Sequence, residues 1–174
     1  GETDDQIIKW LSKANPTYVL ISVLFSNLAS HAWNAAKLAK KVNPSCVVIV
    51  GGNHVSNAIS DYVYYQKNPN ALYRNSIRFL ESENIDFGMW GECDYALPDF
   101  IQKHSNQKEY AKSLGLAYFS GGEYYVNPKP ISPPNLDELP LETREIFNVE
   151  GYFELGYFHS SKGHKRVGNV LASR

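Results

Sequence analysis

Cysteine is scarce: Cys46 and Cys93 are the only two in 174 residues, and neither stands in a CxxC pair. That argues against a disulfide-built scaffold and leaves two buried or incidental thiols as the expectation. An excess of one charge is also missing. Seventeen Lys and Arg face eighteen Asp and Glu, for a formal net charge of −1. No electrostatic footprint for nucleic acid or an anionic membrane stands out. No apolar run approaches the ~20 residues of a membrane span. GxGxxG, P-loop and GxSxG motifs are absent, which removes three familiar cofactor and nucleophile signatures. The opening GETDDQIIKW is acidic and amphipathic and does not read as a signal peptide. The cytoplasm is the expected compartment, with neither nucleic acid nor membrane as a partner.

Hydrophobic residues make up 43 % of the chain and charged residues 20 %, the balance of a globular protein with a real core. The organising stretch is Tyr18 to Gly52, YVLISVLFSNLASHAWNAAKLAKKVNPSCVVIVGG. An apolar run from Tyr18 to Leu24 meets a polar corner, Ser26-Asn27. A helix-length segment from Ala29 to Val42 follows, then a second apolar run, Cys46 to Val50, ending in Gly51-Gly52. Two short β-branched runs around one helix form a βαβ unit with parallel strands. Its right-handed crossover brings both strand C-termini to one edge of the sheet, and open α/β sheets bind ligands outside that edge. The candidate residues are therefore Ser22, Leu24 and Ser26 after the first strand, and Gly51, Gly52, Asn53 and His54 after the second. Glycines there allow a tight turn and close approach of a ligand.

Elsewhere, Asp4 to Ala14 reads as a helix capped by Thr3 with Gln6 in a capping box, stopped at Asn15-Pro16. Ser26-Asn27 or Ser30 is expected to cap the helix over Ala29 to Val42. Ala58 to Asn84 reads as helix split by Pro69. Asp86 to Trp90 reads as a third strand ending at Gly91-Glu92, which adds both residues to the candidates. Cys93 to His104 is the next expected helix, with Asp94 as cap. Leu114 to Pro130 alternates around Gly121-Gly122, a β-hairpin. A proline-rich connector follows, with a short helix expected over Leu141 to Phe147, then a basic segment and a fresh strand start, VLASR. His159 and His164 are spaced i, i+5 in a loop and make no zinc motif. Lys162, Lys165 and Arg166 read as a solvated linker, and Asp137 and Glu138 as linker geometry. No independent catalytic site and no metal site are expected.

Ser22-Val23-Leu24 is an SxL, and 26 residues separate Leu24 from Gly51-Gly52. This resembles the cobalamin-binding pattern in which SxL is followed at a similar distance by GG. The succession GGNH, GECDYALPDFI, GLAYFSGGEYYVNP, NLDELP and VLASR resembles the linker of cobalamin-dependent radical S-adenosylmethionine (SAM) proteins. The resemblance covers the chain from about Pro16 to Arg174. Three departures stand in it: Asn53 replaces the proline of GGPH, Cys93-Asp94 replaces the second Gly-Glu, and the region Ser60 to Asn84 is longer than the common version.

The resemblance implies a Rossmann-like, flavodoxin-like α/β fold: a three-layer parallel sheet with a C-terminal β-hairpin and extended linker. Residues 1–112 would be the cobalamin-binding part, lacking its first βα unit, and 113–174 the hairpin and linker toward a radical SAM barrel. Cobalamin would be held by its nucleotide tail, with Ser22, Leu24, Gly51 and Gly52 lining the tail. Ser26, Asn53, His54, Gly91 and Glu92 would stand nearby. The full enzyme would transfer methyl groups through methylcobalamin. SAM and a 4Fe-4S cluster are expected only in a barrel outside this stretch, since CxxxCxxC does not occur here. The DxHxxG loop that carries the lower cobalt ligand in related domains would lie farther upstream than the 21 residues before Ser22. Two other readings stay open: a degenerate scaffold that only docks or shapes the barrel, and an unrelated flavodoxin-like or nucleotide-sugar enzyme.

Overall fold

A computed structural model describes residues 3–72, 75–107, 109–130 and 150 of the chain. The chain divides into two compact units, Gly1–Pro133 and Pro134–Arg174. The second, with the expected helix at Leu141 to Phe147, both linker histidines and VLASR, lies outside the described residues apart from Glu150.

Helix α1 (Asp4–Ala14) starts on the capping box read from sequence, with Thr3 and Gln6 each satisfying the other's backbone N–H, and ends on Asn15 in the left-handed region. Strand β1 (Tyr18–Ser22), helix α2 (Ala29–Val42) and strand β2 (Val47–Gly51) complete the βαβ unit. β1 pairs parallel with β2, Tyr18 opposite Val47 through Ser22 opposite Gly51. Strand β3 (Phe87–Met89) pairs parallel with β2. The hairpin strands β4 (Leu116–Ser120) and β5 (Glu123–Val126) join the same sheet antiparallel, giving the order β1-β2-β3-β4-β5. The fold is the expected α/β class, and the hairpin makes the sheet mixed by extending it. Gly121 and Gly122 both take positive φ (60° and 87°) at its tip, as a two-residue I′ turn requires.

Alternation along the strands sorts the core into two faces. Val48, Val50, Trp90 and Ala117 pack with Ala36 and Ala39 of α2 and with Val55 and Ile59 of α3 (Asn53–Lys67). On the other face Ile49, Met89 and Leu116 pack under Ala96 and Phe100 of α4 (Ala96–Ser105). The sheet is thus the middle of three layers.

Three local expectations are corrected. The helical reading of 58–84 resolves into α3, which begins earlier, at Asn53, and a 3₁₀ helix, Ser76–Glu81. Ile77 and Leu80 are both buried there; side chains three apart eclipse in a 3₁₀ helix, so one short piece buries both. Neither Ser26, Asn27 nor Ser30 caps α2, which follows directly from a 3₁₀ turn at Ser26–Leu28 with no side-chain cap. α4 starts at Ala96, and Asp94 does not cap it.

One ion pair pins the amino-terminal ends of the strands. Lys40 of α2 meets Asp86 at 2.7 Å, with the two side chains 16 % and 32 % exposed. The other duty of Asp86 is to accept from the Val48 N–H at 2.7 Å. Removing it leaves the Val48 N–H without its acceptor and the Lys40 cation with only the Cys46 carbonyl, 2.7 Å away. Asp86→Ala is expected to cost about 2–3 kcal/mol, read as a lower urea midpoint at unchanged slope.

Candidate functional site

The carboxyl ends of β1, β2 and β3 lie side by side, because all three strands are parallel. A cavity of about 250 Å³ opens there. Leu20 and Ser22 of β1, Ile49 and Gly51 of β2, and Met89 of β3 line it. Gly52, Gly91, Cys93 and Leu97 of α4 lie around it, with Ile21 and Val50 completing the lining. No charged side chain is among these residues. The Tyr18 hydroxyl holds α4 across the sheet, 2.9 Å from both His104 Nδ1 and Ser105 Oγ. The edge-to-face pair of Phe87 and Phe100 supports it beneath, with centroids 5.0 Å apart.

The loops after β1 and β2 are stitched together. Val23 donates its N–H to Gly51 O at 2.8 Å and accepts from the His54 N–H at 3.0 Å. Gly52 turns between those bonds at φ 92°. Ser26 Oγ lies 3.0 Å from His54 Nδ1, a side-chain bond that spans the same two loops. His54 is therefore placed by Ser26, whose hydroxyl is thereby drawn away from the helix end it was expected to cap.

Gly91 follows β3 at φ 84°, and its N–H donates to Ser56 Oγ at 3.1 Å. The Cys93 thiol donates to Gly91 O at 3.4 Å. Burial first, then the charges of Asp94 and Glu92, push this thiol up to about 11. It stays protonated at neutral pH, so the cavity keeps an uncharged lining. Alkylation of Cys93 by iodoacetamide is expected to stay slow through pH 9 and to rise steeply only toward pH 11. A rate already at its plateau at pH 8.5 would contradict this.

Of the residues proposed from sequence, Ser22, Gly51, Gly52 and Gly91 come together in the cavity lining. Leu24, Ser26, Asn53, His54 and Glu92 sit in or beside the loops at the same edge and do not line it. Leu20, Ile49 and Met89 were not anticipated as lining residues. Stepping back two positions from Ser22, Gly51 and Gly91 finds all three, since a strand repeats its face every second residue. A larger hollow, about 520 Å³, lies at the opposite end of the strands, near Glu83, Asp86, His104 and Tyr110. Asp86 there is committed to Lys40 and Val48, and parallel strands favour ligand sites at their carboxyl ends. The smaller cavity is the candidate site. Among the described residues no cluster of three or more His, Cys, Asp or Glu is arranged for a metal, and no helix is long and apolar enough to cross a membrane.

No family model matches the chain. It is 25 % identical over 197 residues to cytidylyl-2-hydroxyethylphosphonate methyltransferase of Streptomyces wedmorensis, covering 100 % of this chain and 34 % of that protein. It is 25 % identical over 150 residues to an uncharacterised methyltransferase of Pyrococcus horikoshii, covering 86 % of this chain and 29 % of the relative. The chain thus spans about a third of the length of the curated relatives it matches. Among solved structures, the apo, selenomethionine-labelled cobalamin-dependent S-adenosylmethionine radical enzyme OxsB superposes with a TM-score of 0.52 at 21 % identity. That match covers 80 % of this chain and 17 % of that one, and shows the shared α/β fold. The curated relatives are methyltransferases, in line with the resemblance read from the motifs, and the structural match shows the α/β fold that the resemblance implied.

Proposed function

We propose that this chain is the corrin-holding part of a radical SAM methyltransferase. Residues 1–112 would hold cobalamin, and 113–174 would lead toward the barrel, with the hairpin shared as the outer strands of one sheet. One observation carries the reading: an uncharged slot floored by Gly51 and Ser22 at the carboxyl edge of parallel strands. A flat, neutral heteroaromatic base is what such a slot accepts. Ile49, Met89 and Leu97 offer apolar faces, and the Ser22 hydroxyl offers one polar contact.

The residues present fit the group. Gly51 lines the slot with no side chain, and a Cβ there would meet nothing nearer than Met89 O at 3.5 Å. The space it leaves is open slot. Bound cobalamin would supply the methyl-transfer chemistry; this chain would fix the tail, exclude water from the base and aim the corrin outward. SAM and the iron–sulfur cluster would belong to the barrel.

Cys93 gives a test independent of catalysis. Cyanocobalamin is expected to slow iodoacetamide modification of Cys93 at pH 9.5 at least fivefold, while dicyanocobinamide, which has no nucleotide tail, protects less. Equal Cys93 rates with and without either corrin would overturn the reading.

A further inference from the structure

Beyond the slot itself, we infer that Lys129 is its anion-binding residue and takes the phosphodiester of the ligand's nucleotide tail. The inference rests on the corrin reading above. Its origin is Gly91. A Cβ built on that residue would lie 2.6 Å from Cγ of Lys129 and 2.9 Å from its Cε. The lysine stem therefore runs directly over a glycine that lines the slot, with its ammonium one bond beyond Cε, while Lys129 itself is not a lining residue. Gly91 serves the strand end by its positive φ and also leaves the channel in which that stem lies.

The backbone carrying Lys129 is held from both sides. Trp90 Nε1 donates to Asn127 O at 3.1 Å, and Gly115 N donates to Pro128 O at 2.8 Å. The Asn127 side-chain amide donates to Ala111 O at 2.7 Å and to Ser113 O at 2.8 Å. Pro128 and Pro130 flank the lysine, and a residue before proline is confined to extended backbone. The backbone that carries the cation is thus held in place, which lowers the chain-ordering cost of a contact made by its side chain. Lys129 is in none of the ion pairs of the described residues, while the slot lined by Gly91 carries no charged side chain. A neutral base bound in the slot brings a phosphodiester with it, and the rim is where that monoanion must emerge. The ammonium supplies the charge-assisted contact the slot lacks.

The test is an equilibrium titration of the full-length protein with cyanocobalamin, dicyanocobinamide and inorganic phosphate, at low and high salt. Lys129→Gln is expected to weaken cyanocobalamin about tenfold and to flatten its salt dependence. Its dicyanocobinamide affinity should match wild type, and Lys129→Arg should restore cyanocobalamin binding. Wild type that prefers cyanocobalamin while Lys129→Gln binds it equally well would overturn the Lys129 assignment alone, leaving the slot reading standing. Equal weakening of both corrins by Lys129→Gln would likewise sink it, as a general loss of the rim. Competition by inorganic phosphate at the same concentration in wild type and Lys129→Gln would also count against it. Wild type that binds neither corrin would defeat the slot reading, and Lys129 with it.

Discussion

Gly52→Ala destabilises the protein by about 3 kcal/mol or more, although it adds a single methyl group. The added Cβ would lie 2.7 Å from Val23 O and 2.9 Å from Val23 N and C. Those are backbone atoms, so no side-chain rotation relieves the clash. Nor is Val23 able to retreat cheaply, since its N–H is bonded to Gly51 O and its carbonyl to the His54 N–H. The backbone at φ 92° and ψ 179° adds strain of its own. Urea denaturation reads the effect as a lowered midpoint. The hairpin tip is the internal control: a Cβ on Gly122 meets nothing within 4 Å, so Gly122→Ala carries only the φ penalty, about 1 kcal/mol. Equal losses at the two sites would contradict the packing described for Gly52.

Gly51→Phe should do the opposite, leaving the fold in place and abolishing corrin binding. Gly51 sits in ordinary strand geometry opposite Ser22. Its nearest atom to an added Cβ, Met89 O at 3.5 Å, is at normal contact distance. Its side-chain direction is that of Ile49, into the slot. A phenyl ring there occupies the space proposed for the tail base. The expected loss of cyanocobalamin affinity exceeds 100-fold, about 2.7 kcal/mol, with a melting temperature within a few degrees of wild type. The adjacent glycines thus have separable roles: one closes the loop and the other keeps the slot open.

Much of this was legible in the residues, for physical reasons that can be named. The ends of α1 follow from Thr3, Gln6 and Asn15, which satisfy backbone groups by local chemistry. α2 runs over the same residues, Ala29–Val42, that its apolar spacing marks out. The hairpin turn needs two left-handed residues and has Gly121-Gly122. What was not legible depends on distant partners. Asp94 and Ser30 have capping chemistry, but no side-chain cap forms at either helix. Ser76–Glu81 is 3₁₀, and Ile77 and Leu80 both reach the core that α3 and β2 help build. At the site, motif spacing identified the glycines and Ser22. Leu97 entered only through the placement of α4. Lys129 lies 38 positions from Gly91, and only the return of the chain after β5 brings them together.

The central claim is that the slot at the carboxyl edge holds a corrin by its tail. The most direct measurement is titration of the full-length protein with cyanocobalamin followed by gel filtration, with Gly51→Phe run alongside. The expected result is corrin absorbance co-eluting with wild type, with the spectral change that marks release of the tail base from cobalt, and neither signal with Gly51→Phe. Wild type eluting free of corrin, or Gly51→Phe retaining as much as wild type, would contradict the claim.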